Sequence, residues 1–382
     1  MANTLKPLST NDVTSTRTLL HEVIPITGSI VSGTYGLTNT TTEFPAEGNI
    51  KNYSHGMFQS VYDYPYLSSS ANHIFDITMG YSTASVWTHS RDPIPDGGNA
   101  QNAKKVNIYN QMAQVLAGHD QTGSIKNFQI PGGDLIREAY FINFSRLLIK
   151  DEIKKGSLTM SFGTGSSFAT SHDNADLRTL YDYGDTTYYT DSPAGDYAIL
   201  TMSADPPGAE EGGKPAGLVF YQAGIVVLSA SMFFPYDSTA TDTNDEHDAD
   251  NYLNITGSGV ALAKDDDTLS FRHLLVSSSI TGTTNALRHR INNIEFQNTT
   301  ELNSTIHFCR ANHNEFNYSA NPTYVSSSKI QVKSTNSDPP SSYITTVGLY
   351  GPDNVLLAVA KLSEPLKKTN QNEITIRVRL DY

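Results

Sequence analysis

The clearest periodicity lies near the end of the chain, where Ile374, Ile376, Val378 and Leu380 alternate with Thr375, Arg377, Arg379 and Asp381. A period of two places one set on each face, so the segment predicts a half-buried strand running to Tyr382. Upstream, the apolar runs 343–349 and 355–362 flank Gly351-Pro352-Asp353-Asn354. Proline fixes φ and asparagine tolerates the left-handed conformation, so this stretch predicts a hairpin. A strand that ends a chain either completes its own sheet or offers an edge to a neighbour.

From 136 to 363 one theme recurs: apolar runs of five to nine residues separated by polar turn clusters. Strands are expected at 139–149, 157–162, 196–202, 217–221, 225–233, 254–261, 268–277, 293–296 and 302–309. Regular strands between polar turns indicate a mainly β fold with β-sandwich-like sheets and long loops. One or two short helices are expected, the clearest at 104–117. There Val106, Tyr109, Met112, Ala113 and Leu116 fall at helical spacing before Gly118, and such a stripe faces a core.

The first hundred residues are rich in Ser, Thr, Asn, Gly and Pro, with apolar islands at 24–31 and 73–78. They fit an extended arm that wraps neighbours, or a loop-rich region that folds alone. Three regions follow: a loop-rich N-terminal arm over 1–100, a β-rich centre over 101–310, and a C-terminal β region over 311–382.

The stretch 216–234 is nineteen residues without a charge, close to the length that spans a bilayer. Its Gln222-Ala223-Gly224 break and its Val, Ile, Phe and Tyr content predict two buried strands joined by a bend, and no membrane association. Composition narrows the classes further. The 382 residues carry 26 basic against 39 acidic side chains, a net charge of −13. No basic tract could neutralise phosphates, so nucleic acid is not an expected partner, and the acidity reads as solvation. A single cysteine, Cys309, excludes an intrachain disulfide framework. The first residues lack the charged-then-apolar order of a secretory signal, so the protein is expected to stay where it is made or to leave by lysis.

Several patterns resemble chemical sites. Gly208, Gly213 and Lys214 match most of a phosphate-binding loop, but Pro215 stands where a magnesium-holding hydroxyl belongs, and strand residues follow. The acidic run 242–250 lacks the glycine and glutamate of a calcium loop, having His247 and Leu253 there, and reads as a solvated turn. Asp265, Asp266 and Asp267 read likewise. His307, Cys309 and His313 lie close in sequence, yet no fourth ligand completes a zinc site, and a buried free thiol is expected. No catalytic residue, metal ligand or cofactor is assigned. Glycosidase carboxylates are scattered in sequence and would escape such a reading. The aromatic runs 62–66 and 180–189 fit sheet surfaces, interface anchors or sugar-stacking platforms.

Several segments carry a resemblance: FNYSANPTY over 316–324, the ending LLAVAKLSEPLKK to RVRLDY, ANHIFDITMGYS over 71–82, KVNIYNQMAQVLAG over 105–118 and GLVFYQAGIVVLS over 217–229. Together they resemble virion structural proteins of contractile-tailed, T4-like bacteriophages of the marine, cyanophage type. The resemblance implies a non-enzymatic component of the tail, baseplate or neck, assembled in the host bacterial cytoplasm. Its partners would be copies of itself and other virion structural proteins. The N-terminal arm and C-terminal strand would make the contacts between subunits. Phe316, Asn317, Tyr318, Asn321, Pro322, Tyr324, Ile374, Ile376, Val378, Leu380 and Tyr382 are the expected interface residues. A receptor- or carbohydrate-binding tail module is the alternative, and a depolymerase a more distant one.

Overall fold

The apolar runs of the central chain pair with one another as antiparallel strands. The computed structural model describes residues 5–26, 48–82, 101–133, 135–163, 177–202, 215–230, 279–288, 291–319, 325–326, 329–330, 337 and 339–382. Of the described residues, 54% are strand and 13% helix, giving a mainly β fold of the sandwich-like class with a large antiparallel sheet.

Strands β1 (Val13–Pro25), β2 (Ile50–Asn52), β3 (Gln59–Tyr62) and β4 (His73–Tyr81) precede helix α1 (Asn102–Leu116). Next come β5 (Phe128–Gln129), β6 (Leu135–Ile136), β7 (Glu138–Phe144) and the one-turn helix α2 (Arg146–Ile149). The chain continues through β8 (Glu152–Ile153), β9 (Thr159–Gly163), β10 (Leu177–Asp182), β11 (Tyr189–Ser192), β12 (Gly195–Met202), β13 (Pro215–Phe220) and β14 (Ile225–Ser229). Helix α3 (Ile280–Arg288) leads into β15 (Ile291–Ala311), followed by β16 (Val325–Ser326), β17 (Lys329–Ile330), β18 (Ser341–Tyr350), β19 (Leu356–Thr369) and β20 (Ile374–Asp381).

Two compact units result: a larger one, His21–Thr300, and a terminal one that joins Met1–Leu20 to Glu301–Tyr382. These differ from the three regions drawn from composition. Residues 50–81 do not belong to an arm, because β2, β3 and β4 are paired into the sheet of the larger unit and Val61, Phe75, Ile77 and Met79 are fully buried.

In the larger unit the strand order runs from the first part of β15 through β9, β10, β12, β13, β14, β7, β4 and β3 to β2. Within β7, Ala139, Tyr140, Phe141 and Ile142 are all fully buried, so this strand is covered on both faces and shows no alternation. Helix α1 lies against β4 at Gly80, where a Cβ would meet Lys105 O at 2.5 Å and Tyr109 N at 2.8 Å. The Tyr109 hydroxyl donates to Ile136 O at 2.6 Å, which satisfies a phenol otherwise cut off from water.

The uncharged stretch near 216–230 forms β13 and β14, paired from Gly217–Leu228 to Phe220–Ile225 and joined by a turn in which Gly224 has φ +66°. No helix among the described residues is long and apolar enough to cross a membrane.

Three local readings are corrected. The expected strand 139–149 stops at Phe144 and turns into α2, after which Lys150 takes φ +57°. The two runs 293–296 and 302–309 are parts of one twenty-one-residue strand, β15. Helix α3 was not expected, since ITGTTNALR is rich in β-branched residues and glycine. Tertiary contacts hold it instead: Gln59 Nε2 donates to Asn285 Oδ1 at 2.6 Å and Thr284 Oγ1 donates to Gln59 Oε1 at 2.8 Å. The expected strands 254–261 and 268–277 lie outside the described residues.

Candidate interaction surface

Among its described residues the terminal unit has strands but almost no core of its own. Among its described residues only two hydrophobic side chains are buried, Ala311 and Val378, whereas the apolar core cluster belongs wholly to the larger unit. Hydrophobic burial is the main favourable term in folding, so exposed apolar strands of this kind make a candidate interaction surface.

Strand β20 shows the alternation read from its sequence. It pairs with β15 from Ile374–Ala311 to Asp381–Ser304. Val378 is buried, Ile374, Ile376 and Leu380 are half-buried, and Thr375, Arg377, Arg379 and Asp381 are exposed. The strand thus completes the chain's own sheet. Tyr382 extends the ladder, exchanging backbone hydrogen bonds with Asn303 at 2.9 and 3.1 Å while its ring stays largely exposed.

On its other side β15 is bordered by β1. Lys6 pairs with Glu315, Asp12 with Arg310 at 3.0 Å, and Arg17 with Glu301. The Asp12 carboxyl is held below the usual carboxylate range by the Ser9 hydroxyl and backbone, with Arg310 adding to the effect. Leu5, Leu8, Val13, Leu19 and Leu20 are all exposed along this segment.

The β18–β19 ribbon carries apolar groups on both faces. Gly348–Val359 and Tyr350–Leu356 face one way, Val347–Ala360 and Leu349–Ala358 the other, and none of these eight residues is buried. Leu357, at 70% exposure, is the most open of the ribbon's leucines. Its turn follows the expected chemistry, with Asn354 at φ +62° and Gly351 N donating to Val355 O at 2.9 Å.

The segment 312–319 is fastened to the base of this ribbon. Lys368 is fully buried, and its Nζ donates to Asn317 Oδ1 at 2.8 Å, Thr369 O at 2.7 Å and His313 O at 3.3 Å. Ser342 Oγ donates to Phe316 O. Phe316 takes φ +54° and is exposed, and Tyr318 is 71% exposed, so the turn presents two aromatic rings to solvent. Asn321, Pro322 and Tyr324 lie outside the described residues, as do the glycine-rich loop 208–214 and the acidic runs 242–250 and 265–267.

Of the remaining candidates, His307 and Cys309 pair with Val378 and Ile376 of β20 and are half-buried. Burial pushes the Cys309 thiol up, and the Asp12 carboxylate pushes it further in the same direction, which opposes formation of a nucleophilic thiolate. His313 is exposed and sits 3.5 Å from Glu373. Among the described residues no three His, Cys, Asp or Glu side chains are gathered as metal ligands. Sequence reasoning missed Lys368 and Ser342 as the fasteners of the turn. It also missed the ribbon's two-faced character, although the run VLLAVA over 355–360, without a polar residue at alternate positions, already signals it.

No protein-family model, curated protein or solved structure matches the chain.

Proposed function

We propose that this chain is a structural subunit of a contractile-tailed bacteriophage particle, placed in the tail, baseplate or neck and acting through symmetric protein–protein assembly without catalysis. The observation that carries the reading is the terminal unit's large exposed apolar area on well-formed strands with scarcely any core among its described residues. An isolated two-stranded ribbon is marginal in water, and one with apolar groups on both faces gains its stability when a neighbour covers it. The resemblance of the segments 316–324 and 356–382 to virion structural proteins supplies the kind of neighbour: further copies of the chain and other virion proteins. Assembly would take place in the host bacterial cytoplasm.

The test is a pair of charge insertions on the ribbon, Leu357→Lys and Val359→Lys, made in the phage that encodes the chain. Both side chains are exposed, so the free protein should melt within a few degrees of wild type. Particles should lose the subunit or fail to form. Incorporation of both variants at wild-type levels would contradict the assignment of the ribbon to assembly.

A further inference from the structure

In the larger unit, the loop 117–132 and strand β11 border a groove of about 840 Å³ floored by residues of β12 and β13. We propose that this groove is a binding site for a neutral saccharide. The inference stands independently of the particle reading, because it rests on a different unit and on different side chains.

The groove is built around a stack of rings. Tyr197 lies between Tyr189, at a centroid distance of 5.5 Å and 28° between planes, and Phe220, at 5.2 Å and 25°. Phe220 is buried and meets Phe128 edge-on, which anchors the inner end. Tyr189 is the outer end of the stack and is half-buried, and it lines the groove together with Tyr197 and Phe220, so that wall is an aromatic surface held in place by the stack. Flat aromatic faces of this kind take the C–H face of a pyranose ring at small entropic cost, because the ring is already fixed. Neighbouring Tyr188 is exposed, with Lys155 Nζ 3.8 Å from its ring centroid.

Polar groups at the rim supply the second half of sugar recognition. Asp191 Oδ1 accepts the Tyr197 hydroxyl at 2.8 Å, and among the described residues its other oxygen has no partner. Asp120 uses Oδ1 to accept Thr122 N, Thr122 Oγ1 and Ser124 N at 2.7 to 2.9 Å, leaving Oδ2 toward solvent. Carboxylates are acceptors only, and the hydroxyls of a sugar are donors that suit them. The sign of the charge selects among stacking ligands. Among the described residues two carboxylates face one uncommitted cation, Lys126, since Lys155 is held by Asp196 at 2.5 Å. A nucleotide would also stack on Tyr189, but its phosphates would meet this acidic rim, whereas a neutral sugar carries no such penalty.

The experiment uses the full chain on an array of neutral oligosaccharides, acidic oligosaccharides, adenosine monophosphate and short peptides, followed by calorimetry with whatever is retained. Retention of a neutral glycan is expected, with affinity falling about tenfold in Asp191→Asn and at least as much in Tyr189→Ala. Asp191 is exposed, so its variant should keep the wild-type Tm and decides the matter even where Tyr189→Ala fails to fold. Absence of any neutral glycan, preferential retention of the nucleotide or a peptide, or glycan binding unchanged in Asp191→Asn would each overturn the proposal.

Discussion

The ammonium of Lys368 donates to Oδ1 of Asn317 at 2.8 Å while being fully buried. Two backbone carbonyls, of His313 and Thr369, take its other protons, so a charge that would be prohibitively costly to bury alone is matched oxygen by oxygen. Removing the charge while keeping the stem leaves three acceptors without a donor. Lys368→Met is expected to destabilise the terminal unit by about 1 to 3 kcal/mol and to raise amide exchange over 312–319, read by hydrogen-exchange mass spectrometry. Unchanged protection there would show that the lysine does not fasten the turn.

The N-terminal segment should loosen in acid. Glu315 is held below the usual carboxylate range, first by the Lys6 side chain and then by Asn312 N, and Asp12 is lowered by Ser9 and Arg310. A lowered folded-state value means that the stabilisation is present above the ordinary carboxylate pKa and is lost as pH falls through the lowered one. Amide protection of Val13–Leu20 is therefore expected to fall below about pH 4. In the larger unit Asp182 works with the opposite sign. Burial raises its pKa against the lowering pull of the Tyr221 hydroxyl at 2.6 Å. Its contribution is thus full below the ordinary value and lost as pH rises through the raised one. Protection of Val13–Leu20 that stays flat to about pH 2 would refute the ion-pair account.

Strand β20 offers a comparison of adjacent positions. Val378 is 6% exposed opposite His307, while Arg377 beside it points to solvent. Val378→Asp should cost at least about 2 kcal/mol by burying an unpaired charge, and Arg377→Ala should stay within about 0.5 kcal/mol. Urea unfolding of the two variants measures the difference. Equal effects would mean that the strand has no inner face.

Gly80 sets the distance between α1 and β4. A methyl group there would lie 2.5 Å from Lys105 O and 2.8 Å from Tyr109 N, both backbone atoms of the helix. Gly80→Ala is expected to displace the helix at a cost of about 1 to 3 kcal/mol, seen as a lower midpoint in thermal melting. A wild-type midpoint would show that the helix yields freely.

How much of this was legible in the sequence depends on whether a feature is local. The hairpin turn at Asn354, the alternation from Ile374 to Leu380, the bend at Gly224 and the helix ending near Gly118 are each set by a few adjacent residues, and each is found where those residues place it. The strand His73–Tyr81 looked like an island in a loop-rich arm. One neighbour, β3, is local, but the other, β7, is some sixty residues away, and nothing local announces a pairing of that range. Helix α3 was hidden for the same reason, because its support comes from Gln59. The candidate surface was half legible. Its terminal strand and the turn from Phe316 to Tyr318 were named from pattern and resemblance, whereas Lys368 could be recognised only once the chain had brought three oxygens to its ammonium.

The central claim is the proposed assembly into a phage particle, and a reconstruction of the intact particle to which the chain is proposed to belong tests it most directly. The expected result is density for the chain at a symmetric position in the tail, baseplate or neck, with the β18–β19 ribbon covered by a neighbouring subunit. Purified particles that lack the chain, or that carry it with the ribbon bare to solvent, would contradict the account.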